Sequence, residues 1–259
     1  MSKSGLNKLT IQLGDALKIN LPDNSVDMIM THPPYFGVSF DRYGGKPEDQ
    51  INSFDRKKML KLLHKATKEA FRVLKPSGHF VIANGPVDNV DSRYLLDVVD
   101  NTKFLHVATV IQNSYDTRDL NNKMSELITN NNIVTWYHFI KGYDAYGNPY
   151  KIKQNNNPVW NIPFNNLADS VDVELSKDFF VGDAVNKEMP KRFIEMLTKP
   201  GDIVVDPFGG SGIIPITAVE LGRVGVCFDI SPDQVKAAKA RASLVFGKDK
   251  YKKLVGEND

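Results

Sequence analysis

Along the chain, short apolar runs alternate with longer amphipathic stretches, a rhythm that predicts strands interleaved with helices. "KLTIQLGDA" (8–16) reads as a short strand ending at Gly14-Asp15. "SVDMIMTH" (25–32) reads as a second, entered through the turn-like "LPDN" and stopped by Pro33-Pro34. Met59, Leu62, Leu63, Ala66, Ala70, Phe71 and Leu74 recur at helical spacing and predict a helix over about 54–74. Its other face carries Lys57, Lys58, Lys61, Lys65, Lys68 and Arg72, the pattern of a solvated surface. "HFVIAN", "HVATVIQN" and "NIVTWYHFIKG" follow as strands. Periodicity fades over 143–180, where asparagine, tyrosine and proline dominate. It returns with a helix at about 188–198, the strand "DIVVDPF", the glycine turn "GGSG", a helix at about 212–221, the strand "VGVCFDI" and a last helix from about 232. Strands alternating with helices imply an α/β protein with a mostly parallel sheet covered on both faces. The aperiodic stretch then reads as an insertion, not a second full domain.

Composition narrows the chemistry. The chain has 259 residues and a formal net charge of +2, which neither demands nor excludes a nucleic-acid partner. Cys227 is the single cysteine, so an intrachain disulfide and a cysteine-based zinc site are excluded. It lies mid-strand and reads as core. His64, His79, His106 and His138 lack metal-ligand spacing, so no metal is expected. No apolar run approaches membrane-spanning length, and "MSKSGLNKLT" lacks the apolar core of a signal peptide. A soluble intracellular (cytoplasmic) protein without a membrane partner is the expectation.

"DIVVDPFGGSGIIPITAVELGRVGVCFDIS" carries the strongest chemical signal. A buried strand delivers Asp206, Pro207-Phe208 turn the chain, and Gly209, Gly210 and Gly212 let the backbone approach a ligand. One strand later, Asp229 is placed to bond a ribose diol with both oxygens, so a nucleoside-containing cofactor is expected. The glycine spacing is tighter than G-x-G-x-x-G.

"DPFGGSG" resembles the D-P-F-x-G-S-G turn of the amino-directed DNA methyltransferases, which use S-adenosyl-L-methionine. The resemblance implies a Rossmann-like methyltransferase sheet with helices on both faces and a small target-recognition insertion. It assigns the turn Asp206, Pro207, Phe208, Gly209, Gly210, Ser211 and Gly212 to the cofactor, with Phe208 beside it and Asp229 on its ribose. "GDALKINLPDNSVDMIMTHPPYFG" resembles the block that contacts the cofactor adenine, a role falling on Asp15. Its "HPPY" resembles the D/N/S-P-P-aromatic catalytic loop at the last three positions, and implies His32, Pro33, Pro34 and Tyr35 as catalytic residues.

The chemistry explains the loop. An exocyclic amino nitrogen has its lone pair delocalised into the base, so the base must leave the stack, lie flat and have its amino hydrogens held by acceptors. Tyr35 offers a stacking face, while the two prolines remove backbone donors and leave carbonyls to accept. His32 departs from the family pattern. A neutral imidazole accepts one hydrogen bond and an imidazolium none, so His32 is either the acceptor or a tolerated substitute for one.

"EAFRVLKPSGHFVIAN" and "NKEMPKRFIEMLTKPGDIVV" extend the resemblance, the latter with only Asn186, Lys187 and Pro190 in register. The proline loop precedes the glycine turn, the order of the family's β group. One methyltransferase domain over 1–259 is expected. It has a proline-loop half over about 1–141, a target-recognition insertion over about 142–180 and a cofactor half over about 181–259. Lys141, Tyr143, Tyr146, Tyr150, Lys151, Lys153, Asn155–Asn157 and Trp160 are candidates for phosphate, base-edge and stacking contacts. "FGVSFDRYGGKPEDQ" suits a lid over the base. The implied function is methylation of cytosine N4 or adenine N6 in double-stranded DNA. RNA or a protein glutamine amide is an alternative acceptor, and a catalytically impaired cofactor- and DNA-binding protein a further alternative. The short insertion suggests a homodimer that supplies more DNA-contacting surface.

Overall fold

The computed structural model describes residues 7–34, 55–84, 90–115, 133–142, 159–163, 170–179 and 186–257. Its strands are β1 (Leu9–Leu13), β2 (Val26–Thr31), β3 (Leu74–Asn84), β4 (Phe104–Tyr115), β5 (Ile133–Lys141), β6 (Val159–Pro163), β7 (Ile203–Asp206) and β8 (Val224–Asp229). They form one 8-stranded sheet in the order β1-β8-β7-β2-β3-β5-β4-β6. β5 runs antiparallel to both β3 and β4, and every other pairing is parallel. The mostly parallel sheet expected from the alternation is therefore present, with one reversed strand.

β2 and β7 lie mid-sheet, which is why "VDMIMT" and "IVVD" are apolar almost throughout rather than at alternate positions. Helices cover both faces. Helix α1 (Arg56–Val73) buries Met59, Leu62, Leu63 and Ala70 of the predicted stripe, and Val73 besides, against Ile29, Phe80 and Phe139. Helix α2 (Val90–Asn101) adds Tyr94 and Val98 to that layer. α3 (Ser170–Leu175) is a short helix. On the opposite face, α4 (Glu188–Leu197) packs Met189, Phe193 and Ile194 on Met30, Val81 and Trp136. α5 (Ile213–Glu220) and α6 (Pro232–Phe246) complete that layer over Val204 and Cys227, and α7 (Lys248–Val255) follows α6.

Several elements differ from expectation. The strand expected at "HFVIAN" begins earlier, at Leu74, which pairs with Val26 and draws the chain into the sheet directly from α1. The last helix is two, divided at Gly247, whose φ of 77° lies outside helical space. α2, β6 and α3 have no counterpart in the sequence reading. β6 lies within the expected insertion and pairs with β4, so part of that stretch belongs to the sheet edge.

The winding singles out one edge of the sheet as a candidate site. From the β2–β7 seam, β7–α5–β8 runs one way and β2–α1–β3 the other, so the seam is the topological switch point. Side chains staple it at both ends. At the amino end, Asp27 accepts from the Ile203 N–H at 2.9 Å and from Lys75 Nζ at 2.5 Å. At the carboxyl end, the Thr31 hydroxyl donates to Asp206 Oδ1 at 2.7 Å in a buried setting.

Candidate active site

The glycine turn leaves β7 at Asp206, whose carboxyl is buried and pushed up to about 7. Burial is the main cause. Hydrogen bonds from the Thr31 hydroxyl and the Phe208 N–H oppose it, and the charge of Asp229 adds to it. The three glycines serve different needs. The Gly209 N–H donates to the Phe228 carbonyl at 2.8 Å, and a Cβ there would lie 2.1 Å from Cys227 Sγ. Gly212, at φ +79°, would bring a Cβ to 2.8 Å from that of Ala238. These two let the turn pack on β8 and α6. Only at Gly210, at φ +49°, would a Cβ point into open space, with Gln234 Oε1 the nearest atom at 3.9 Å. So Gly210 alone fits the expected ligand approach. Ser211 is turned inward: buried Arg241 donates through Nε to its carbonyl at 2.9 Å and through Nη2 to its hydroxyl at 3.4 Å.

β8 ends at Asp229, whose half-buried carboxyl is held above the usual carboxylate range by burial. Oδ1 accepts from the Ser231 N–H and Oδ2 from the Gly210 N–H, both at 2.8 Å, and the Ile230 N–H also bears on the carboxyl, which leaves acceptor capacity for a further donor. Although it starts the chain, β1 pairs with β8, and the Gly14 N–H donates to the Asp229 carbonyl at 3.0 Å. That pairing carries Asp15 to the same edge, where its Oδ1 caps the Leu17 N–H at 2.8 Å. A diol-competent carboxylate, a half-buried Phe208 and an open backbone at Gly210 fit the nucleoside-containing cofactor expected here.

On the other side of the seam, β2 delivers Thr31 and Pro33 buried, with His32 and Pro34 half-buried; Tyr35 lies outside the described residues. The His32 ring stacks on the Trp136 indole at 6.0 Å between centroids and 20° between planes. Burial lowers its pKa to about 4, so the imidazole is neutral at physiological pH and has an acceptor nitrogen. Trp136, fully buried on β5, donates through Nε1 to Gln112 Oε1 on β4 at 2.9 Å. Behind it stand Phe193, with centroids 5.8 Å apart, and Trp160, 4.8 Å beyond Phe193.

Of two candidate nucleic-acid contacts, Trp160 is core and Lys141 is half-buried and engaged within the chain. Trp160 is buried against Phe193 beneath Arg192, which removes its ring from base stacking. Lys141 lies over the Phe71 ring, and its Nζ donates to the Leu74 carbonyl and Asn24 Oδ1 at 2.7 Å each. The other recognition candidates, and the candidate lid, lie outside the described residues. Sequence reasoning missed Thr31, Gln112, Trp136 and Arg241. The available signal was a polar residue at an inward position of an apolar element, as in "MIMTH", "TVIQN" and "AKARAS".

His79 and His138 hydrogen-bond each other at 3.0 Å within the sheet; burial lowers them to about 4 and about 3. They are structural, as is Cys227, buried under the turn. Among the described residues no group of His, Cys, Asp or Glu is placed to hold a metal, and no helix is long and apolar enough to cross a membrane.

Comparison with known proteins bears on this arrangement. The type II methyltransferase M.HpaI of Haemophilus parainfluenzae is 26% identical over 237 residues, covering 89% of this chain and 72% of that protein. The structure of the cytosine-N4-specific PvuII DNA methyltransferase superposes with a TM-score of 0.66 at 20% identity, covering 98% of this chain and 97% of that one. A structure described as a DNA modification methylase of Thermus thermophilus, complexed with S-adenosyl-L-methionine, gives a TM-score of 0.63 at 19% identity over 92% of this chain and 94% of that one. The α/β methyltransferase fold expected from the sequence is the fold observed. The DNA methylase profile of the N6/N4 type matches residues 26–240, and the protein belongs to that family.

Proposed function

We propose that this methylase transfers a methyl group from S-adenosyl-L-methionine to the exocyclic amino group of cytosine (N4) or adenine (N6) in double-stranded DNA, with the target base turned out of the stack. The observation that carries the reading is the Thr31–Asp206 hydrogen bond, which holds the proline loop and the glycine turn side by side at the carboxyl edge of the seam. In this reading Asp229 holds the ribose diol, Asp15 the adenine, and the turn from Asp206 to Gly212 the remainder of the cofactor. Bound S-adenosyl-L-methionine supplies the sulfonium methyl; an N–C bond forms as the S–C bond breaks, and one amino proton is lost to solvent. His32 accepts one amino hydrogen through its neutral ring and a loop carbonyl accepts the other, which localises the nitrogen lone pair. Pro33 and Pro34 hold the loop rigid and Tyr35 stacks on the base. Residues 142–180 read the target sequence between a proline-loop half over 1–141 and a cofactor half over 181–259, and a homodimer supplies further DNA-contacting surface.

The test is to incubate the protein with labelled S-adenosyl-L-methionine and duplex DNA, RNA or protein, then resolve the modified products by mass spectrometry. N4-methylcytosine or N6-methyladenine from DNA is expected and identifies the base. Transfer to RNA or a glutamine amide instead, or cofactor binding without transfer, overturns the reading. His32→Ala is expected to lower kcat about 100-fold, the usual scale for one lost transition-state hydrogen bond, with cofactor affinity unchanged. Tyr35→Ala is expected to reduce transfer while sparing cofactor binding. Light scattering of the free protein checks the dimer.

A further inference from the structure

We propose that Trp136 and Gln112 are positioning residues that set the plane of the His32 ring, and hence the direction of its acceptor lone pair. The inference rests on His32 being the amino-group acceptor. An imidazole accepts only in its own plane, and the terminal torsion of histidine is broad, so a histidine at a strand end is poorly aimed unless something flat holds it. Trp136 provides that surface, with its indole within 20° of parallel to the imidazole.

The indole is itself locked. It is fully buried, and its N–H donates at 2.9 Å to the side-chain oxygen of buried Gln112. A ring flip would leave both groups without this bond in an apolar layer, which is strongly unfavourable. Phe193 closes the far side. Orientation is thus passed from β4 to the adjacent β5 and, past the intervening β3, to the end of β2.

The indole also shields one face of the imidazole from water. Burial lowers the pKa of the ring to about 4, which keeps it neutral. The titratable groups on the elements around it are Asp27 on β2, Lys75 and His79 on β3, Tyr137, His138 and Lys141 on β5, Asp206 on β7, and Glu188, Lys191, Arg192 and Glu195 on α4, with Lys187 at its start. Lys187 pairs with Glu220, Arg192 with Glu188, and Asp206 with the Thr31 hydroxyl.

The experiment measures kcat from pH 5 to 8.5, together with cofactor and DNA dissociation constants. The variants are Trp136→Leu, the double variant Trp136→Phe with Gln112→Leu, the conservative Gln112→Asn, and His32→Ala. Trp136→Leu is expected to lower kcat at pH 8 at least 10-fold with both dissociation constants within 2-fold of the parent, and to move the acid limb upward from about 4 towards the ordinary histidine range. The double variant keeps a ring and removes donor and acceptor together, so it carries the test if Trp136→Leu does not fold. It is expected to lower kcat at least 3-fold, whereas Gln112→Asn, which keeps the indole and an amide acceptor, is expected to retain most of the rate. If His32→Ala loses activity while the folded position-136 variants keep the parent kcat and pH profile, the positioning role is overturned and the acceptor reading stands. If His32→Ala keeps full kcat, the acceptor reading falls and this inference with it.

Discussion

The two sides of the β2–β7 seam are built differently. On the cofactor side, backbone and glycine dominate: Gly209 lies where a Cβ would strike Cys227, and Gly210 and Ser231 present N–H groups to Asp229. On the target side, long side chains from distant strands meet, with His32, Trp136 and Gln112 drawn from β2, β5 and β4. A backbone-built site tolerates almost no added volume, whereas a side-chain-built site depends on partners that one substitution can remove. The largest expected effect follows on the cofactor side. Gly209→Ala places a methyl 2.1 Å from Cys227 Sγ and 3.1 Å from the Phe228 carbonyl. Such overpacking is expected to destabilise the protein by about 3 kcal/mol and to weaken cofactor binding, read by urea denaturation and calorimetric titration. Adding Cys227→Ala removes the sulfur and should recover more than half of the loss; no recovery would place the strain elsewhere in the turn.

That contrast also decides what the sequence made legible. Asp206, the glycines and Asp229 lie within one β–α–β unit, so local pattern sufficed for their shared edge. β2, β7, β8 and the buried stripe of α1 were readable because their apolar periodicity is continuous. His32 was readable as an exception. Trp136 and Gln112 were not, since their importance arises from the stacking of Trp136 on His32, about a hundred residues away along the chain. Trp160 misled for the same reason. In a polar stretch an indole resembles a stacking platform, and only the packing of Phe193 shows that it is core. β6 and α3 are short, with 5 and 6 residues, and take their stability from their neighbours rather than from a strong pattern of their own.

A second expectation sets the two sides against each other by pH. His79 and His138, on the target side, have folded pKa values of about 4 and about 3, below the ordinary 6.5. The unfolded chain therefore binds protons first, and the stability these groups preserve above pH 6.5 is lost as pH falls through 4, by up to about 1.4 kcal/mol per pH unit for each histidine. Asp206 acts in the opposite sense. Its folded value of about 7 exceeds the ordinary 3.8, so its contribution is full below 3.8 and is lost as pH rises through 7. Over the acid range Asp206 offsets roughly one histidine of the pair. Urea midpoints between pH 4.5 and 7.5 should fall on acidification, and fall more steeply in Asp206→Asn; an unchanged slope in that variant would remove Asp206 from the balance.

Thr31→Val tests the joint between the sides. Valine keeps the shape but withdraws a donor from a buried carboxyl, expected to cost about 1–3 kcal/mol. Because the Thr31 hydrogen bond opposes the upward shift of Asp206, its loss should raise that pKa further. A variant with parent stability and parent pH dependence would mean that the hydroxyl does not hold the seam.

The smallest effect belongs to Lys141, at the amino-proximal end of the target side. A lysine bordering a recognition segment invites a phosphate contact, but here Nζ is committed to the Leu74 carbonyl and Asn24, over the Phe71 ring, and burial lowers its pKa. Lys141→Met keeps most of the stem packing and loses the hydrogen bonds, so about 1 kcal/mol of stability should go. DNA affinity should keep its salt dependence, because no phosphate contact has been removed. A phosphate-bound lysine behaves differently: its loss lowers the slope of log K against log salt by about 0.9. Measuring that slope for the parent and for Lys141→Met distinguishes a lysine that fastens β5 to the α1–β3 junction from one that touches DNA.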